Sequence, residues 1–312
     1  MKAVRSVPKT RRAGVALAGV AACISGVAVF VNGYGVRRWG DATAYTTAKN
    51  LVAAIVLGFV LLAGTATRSR TAPRARLGRR EWAGVGAVAL IGGSVPFVLF
   101  FEGLARASST DAAFVQKTLV VWVALLAVPL LHERIGPLHF AAIALLVVGQ
   151  AALTGGVPHL VTGAGVTMVF AATLLWAVET VFAKWLLGTV PPFALGAARM
   201  GGGVVVLLGW LAVRGTLGDL ADAGTAAWGW VLLTGVILAA YVGTWYSALA
   251  RAQAVDVTAL LVVGALVTAA LDTGIKGVPA PDPVGLVLVA TGGLLVAWTS
   301  LWRDRVPGSA SA

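Results

Sequence analysis

Apolar residues run through this chain in long blocks, and polar residues are confined to the short gaps between them. The blocks cover 14–32, 42–64, 82–102, 112–131, 138–155, 163–187, 192–213, 227–249, 257–274 and 284–302. Each is near the length an α-helix, rising about 1.5 Å per residue, needs to cross an apolar layer about 30 Å thick. A hydrocarbon core offers backbone groups no hydrogen-bond partner, so such blocks are read as helices. Gly and Pro punctuate the joins, as in Gly155-Gly156-Val157-Pro158 and from Pro279 to Pro283. The pattern predicts an all-α membrane protein of ten transmembrane helices, with no room for a soluble domain.

Composition agrees. Hydrophobic residues make up 59% of the chain and charged residues 12%, with mean hydropathy +0.90. A soluble domain is about one quarter charged. The net charge of +12 would suit nucleic acid, but the basic residues sit beside apolar blocks as topology signals, so no nucleic-acid partner is expected. Lys2, Arg5, Lys9, Arg11 and Arg12 precede the first block, and Arg68, Arg70, Arg74, Arg76, Arg79 and Arg80 fill the longest gap. The alternate gaps hold only Arg37, Arg38, Arg106, Arg214 and Lys276. This asymmetry predicts a multi-pass protein of the cell membrane with both termini cytoplasmic. Val20-Ala21-Ala22-Cys23 resembles a lipoprotein cleavage box. With membrane-spanning sequence throughout, the preferred reading is an uncleaved first helix. A lone cysteine excludes an internal disulfide, and His132, His139 and His159 lack metal-ligand spacing. No metal, cofactor or catalytic residue is expected.

The two halves resemble each other. Gly103-Leu104-Ala105-Arg106-Ala107 recurs as Ala248-Leu249-Ala250-Arg251-Ala252, Asp111 as Asp256, and Phe100-Phe101 as Trp245-Tyr246. Lys49 falls near Arg199 at a slightly different offset. Each half has five helices, an odd number, so the second half enters the membrane from the opposite side. The expected organisation is a basic tail at 1–13, a first five-helix repeat at 14–155, an inverted second repeat at 163–302 and a tail at 303–312. Inverted repeats are typical of secondary transporters, in which the two halves supply two related conformations.

The stretch Phe101-Glu102-Gly103-Leu104-Ala105-Arg106-Ala107, then Ala112-Ala113, then Val128-Pro129-Leu130-Leu131-His132-Glu133-Arg134-Ile135 resembles the first half of EamA-type transporters of the drug/metabolite transporter superfamily. The resemblance implies ten helices in two inverted five-helix repeats. It also implies a basic residue in the second helix of each repeat, matched by Lys49 and Arg199. The chain departs from the family in the ninth helix: Ala265 to Lys276 lacks the usual Pro and carries Asp272 in place of an acidic-basic end.

An ionisable group at the centre of a bilayer costs about 2.5–3.5 kcal/mol or more, so such groups are functional candidates by default. Lys49 and Arg199 either help a gate and attract substrate or brace helices. Lys117, preceded by Gln116, either meets a substrate carboxylate or phosphate or pairs with Glu102 or Asp111. Glu179, within Trp176-Ala177-Val178-Glu179, is a candidate proton carrier whose structural alternative is a salt bridge to Arg199 or Lys184. Asp272 pairs most simply with Lys276, one turn later. Two clusters are expected: Lys49, Glu102 and Lys117 in the outer half, Glu179 and Arg199 in the inner half. They would break and form alternately, so a charge swap of Glu179 with Arg199 would rescue single losses. Aromatics supply candidate cavity walls: Phe97 with Pro96, Phe100 and Phe101 in the third block, Tyr241 and Trp245 with Tyr246 in the eighth, and Trp122 and Trp176. Asn32 is a further polar candidate. The alternative for any of these rings is a lipid-facing or interfacial position.

These features point to a secondary active transporter working by alternating access. It is expected to export a small metabolite or a drug-like amphipathic compound, with protons as a candidate coupling ion. An importer or exchanger of a small organic anion is the nearest alternative. An intramembrane enzyme is the alternative of another class, and a scaffold fits the inverted repeat poorly. Expected partners are the small-molecule substrate and the lipid bilayer, and a monomer can suffice because both repeats lie in one chain.

Overall fold

Every apolar block folds as helix, and three of the ten are interrupted in mid-span. The computed structural model describes residues 8–66, 77–107, 109–155, 163–221 and 224–302. Arg68, Arg70, Arg74, Arg76, His159 and the 303–312 tail lie outside the described residues. The first two spans are α1 (Pro8–Trp39) and α2 (Ala42–Ala66). The third is α3 (Arg79–Gly93) with α4 (Val95–Leu104), and the fourth is α5 (Ser109–Lys117) with α6 (Leu119–Leu131). α7 (Pro137–Leu153) completes the first five. The second five are α8 (Ala164–Leu186), α9 (Pro192–Arg214), α10 (Thr225–Leu249), α11 (Ala254–Val262) with α12 (Gly264–Lys276), and α13 (Pro283–Trp302). Nine spans among the described residues are long and apolar enough to cross a bilayer, and α7, at 17 residues, is a shorter apolar helix. The first helix starts at Pro8, earlier than the expected boundary at 14, because Arg11 is not in a solvated tail but buried against Asp256.

Each interruption has a local cause. Pro96 has no N–H to offer the carbonyl of Gly92, and its ring crowds that carbonyl. The chain therefore steps out of helix at Ser94 (φ −139°, ψ −73°), whose Oγ donates to the Leu90 carbonyl at 2.9 Å. The freed Gly92 carbonyl accepts the indole N–H of Trp176 at 3.2 Å. The other two breaks, at Thr118 and Val263, are related by the repeat. At both, the backbone N–H bonds back three residues, Thr118 to Val115 and Val263 to Leu260, each at 3.1 Å. Tightening of this kind inside a helix is a common hinge device.

Packing follows the repeat as well. α7 lies against α13 and α2 against α9, joining equivalent spans of the two halves. The contact of α1 with α10 recurs as that of α8 with α3 and α4, and the contact of α2 with α10 recurs as that of α9 with α3. Each half is thus packed mainly against the other, so all ten spans form a single body. Its closest approach is between α3 and α9. A Cβ on Gly203 would collide with the Gly93 carbonyl oxygen, and one on Gly93 with the Arg199 carbonyl oxygen. Small residues let helices approach this closely in membranes.

Gly203→Ala should therefore force α3 and α9 apart and destabilise the protein by about 1–3 kcal/mol, the usual scale of overpacking. Gly201→Ala, two residues away and facing open space, should leave the midpoint of thermal unfolding in detergent unchanged. Equal midpoints for the two variants would refute the tight crossing.

Candidate functional site

A cavity of about 270 Å³ lies between the two halves, walled by α1, α2, α4, α5, α6, α8, α9, α10 and α11. It is at the small end of ligand-binding pockets. The structure gathers all ten sequence candidates around it. Asn32 and Lys49 come from α1 and α2, Phe97 from α4, and Gln116 and Lys117 from α5. Trp176 and Glu179 come from α8, Arg199 from α9, and Tyr241 and Trp245 from α10.

An acid lines the cavity. Glu179 is buried, and its Oε1 lies 3.5 Å from Nε of Arg199. The same oxygen accepts the hydroxyl of Tyr246 at 2.5 Å. Tyr246, one of the aromatics expected in the cavity wall, lines it, but its bond to the acid was not legible in the sequence. Space for the carboxylate comes from Gly92, where any Cβ would collide with the Glu179 side chain. The Arg199 guanidinium also lies over Phe97, 5.9 Å from the ring centroid.

The lining also carries two lysines, Lys49 and Lys117. Lys49 donates to Asn32 Oδ1 at 3.3 Å and lies 5.4 Å from the Tyr45 ring centroid. Tyr45 is wholly buried and its hydroxyl donates to Thr234 at 2.8 Å, tying α2 to α10. Lys117 has no hydrogen bond or ion pair among the described residues. Rings line the cavity as well: Tyr241 stacks on Trp245 with centroids 6.1 Å apart, and Phe97 meets Trp176 edge-on at 5.4 Å.

Several expectations are corrected. Glu102 does not join Lys49 and Lys117. It faces away from the cavity and binds Arg106 at 2.6 Å and Arg214 at 3.1 Å, so the expected outer cluster holds two cations and no acid. Lys184 is not a partner of Glu179, since its ammonium donates to the carbonyls of Leu249 and Ala252 at 2.5 and 2.6 Å. Trp122 packs on Phe170 and donates to Thr118, away from the cavity. Phe100 and Phe101 pack behind Phe97 rather than lining the cavity. A swapped Glu179–Arg199 pair would reverse the Tyr246 hydrogen bond, because a guanidinium can only donate and the hydroxyl would have to accept. Rescue by charge swap is thus not a clean test.

A second polar network closes the end of the bundle where α1 begins and α13 finishes. Arg11 binds Asp256 at 3.0 Å, and His139 Nε2 lies 3.2 Å from the other carboxylate oxygen and 3.3 Å from Thr299. Glu133 accepts the amides of Ala254 and Val255 at 2.6 and 3.1 Å, capping the N-terminus of α11. His132, at φ +56°, turns the chain that carries Glu133. Lys184 meanwhile caps the end of α10. The turn between α10 and α11 is therefore clasped by an anion at the helix start and a cation at the helix end, the arrangement helix dipoles favour. Read along the chain, these residues looked like helix-end punctuation.

Burial raises the Glu133 carboxyl to about 7, against the lowering effect of the two amides and Lys184. The folded protein thus holds this proton more firmly than the unfolded chain, whose carboxyl titrates near 4.5. By linkage, stability should fall as pH rises from about 4.5 to about 7 and be flat above. Glu133→Gln should flatten that slope in thermal melts across the same range. At the cavity, Glu179→Leu strands the Arg199 charge and should cost about 3–5 kcal/mol. Adding Arg199→Leu should recover most of that loss, and a double variant no better than the single one would show the pair is not coupled.

The sequence model of the EamA-like transporter family matches residues 12–155 and 163–298, one match per repeat. No curated protein matches the chain significantly. Among solved structures, 28 chains match. One crystal structure aligns with TM-score 0.70 and 16% identity over 92% of this chain and 98% of its own, a likeness that shows the fold. With two matches that together cover both five-span halves, the chain belongs to the EamA-like transporter family.

Proposed function

We propose that this membrane transporter is a secondary exporter of a small amphipathic compound, working by alternating access with proton coupling. The observation that carries the reading is a cavity at the interface of two inverted halves, lined by side chains from both. At the end where the chain begins and finishes, Ala254 to Leu260 of α11 are all buried beneath the Asp256 and Glu133 networks. Toward the opposite end, no residue from Ala265 to Lys276 is buried. Hinges at Thr118 and Val263 give each half the means to reverse that arrangement.

Glu179 is the proposed proton site. It is the single acid on the cavity wall among the described residues, and Arg199 and Tyr246 can hold either of its protonation states. The enzyme reading is disfavoured because the described lining contains no His or Cys and only that one acid. Uptake instead of export remains the alternative in direction.

In proteoliposomes, an imposed pH gradient should drive substrate flux, and Glu179→Gln should lower that flux about tenfold and abolish its response to the gradient. Undiminished gradient-driven flux in the variant would remove Glu179 from coupling. Efflux from cells, raised by the wild-type protein alone, would support export, and accumulation would support uptake.

A further inference from the structure

The cavity's charges do not balance. Three cations line it, Lys49, Lys117 and Arg199, against one carboxylate. That carboxylate already lies against Arg199 and Tyr246. Neither lysine has an acidic partner among the described residues. Lys49 has the amide oxygen of Asn32, itself shared with the Tyr45 hydroxyl at 3.1 Å, and the face of the Tyr45 ring. An ammonium within a membrane is usually paired or in contact with water, because an unpaired charge in a low-dielectric interior is costly. Here the two lysines come from different spans of the first half and face the same cavity.

Resting on the transporter reading, we propose that Lys49 and Lys117, with the side-chain amides of Asn32 and Gln116, form an oxyanion subsite. It receives the carboxylate or phosphate of a substrate whose planar apolar body lies between Tyr241–Trp245 and Phe97–Trp176. The lysines act as adaptable point charges, suited to either head group. The amides add neutral donors, and the rings take the body by stacking and area burial. An amine is repelled by both lysines and finds Glu179 already engaged. A neutral isostere leaves the lysines unpaired. The transported class is therefore aromatic or similarly flat organic anions. The single acid and the two free cations serve different tasks, one toward the proton and the other toward the substrate.

The test uses the purified full-length protein and size-matched probes: 3-phenylpropionate, 3-phenylpropanamide, 3-phenylpropylamine and phenylethyl phosphate, titrated by calorimetry. The carboxylate or the phosphate ester should bind about tenfold or more tightly than the amide and the amine, and the stronger of the two names the head group. Lys117→Gln and Lys49→Gln should each erase most of that preference, whereas Lys117→Arg, which retains the charge, should keep it. Equal binding of all probes, preference for the amine, or an unchanged preference in both Gln variants would overturn the subsite. Counterflow in proteoliposomes separates this from the transport reading. Selective anion binding without flux would sink transport and leave the subsite standing, while flux of the amine or amide but of neither anion would do the reverse.

Discussion

In a hydrocarbon solvent, every polar group that leaves a regular helix must find its partner within the protein, and this constraint organises the molecule. Pro96 frees the Gly92 carbonyl, and the indole of Trp176 from the other half takes it up. The turn after α10 exposes carbonyls and amides, and Lys184 and Glu133 satisfy them. Asp256, wholly buried, is met by Arg11 and His139. Most of these partners come from the opposite half, so polar satisfaction and the interleaving of the two repeats are the same fact seen at two scales.

The repeat is symmetric in its hinges and asymmetric in its clasps. The residues that correspond to Glu133 and Lys184 by the offset relating Asp111 to Asp256 are Val278 and Trp39, which can supply neither charge. Aspartates cap helices at the opposite end instead, Asp41 at the start of α2 and Asp282 at the start of α13. Alternating access needs two states of similar free energy.

The cavity sets its requirements by what it lacks. Its one acid lies against Arg199 and Tyr246, and neither lysine has an acidic partner among the described residues. The aromatic walls add area and shape without adding charge.

Much of this was determined by sequence alone. Ten spans, their inversion and the family resemblance follow from block length, the odd number of spans per half and the motif around Glu133, because bilayer thickness and backbone satisfaction leave few alternatives. The ten candidates were legible because a charge, amide or ring in an otherwise apolar block stands out. Partnership was not legible. Glu102 pairs with Arg106 and Arg214, Lys184 with backbone carbonyls, and His139 with Asp256, all set by which helix faces meet. Helix contacts in lipid are chosen by small residues and shape rather than by hydrophobic contrast. A linear pattern therefore states that a charge is buried, and only the packed structure decides what it faces.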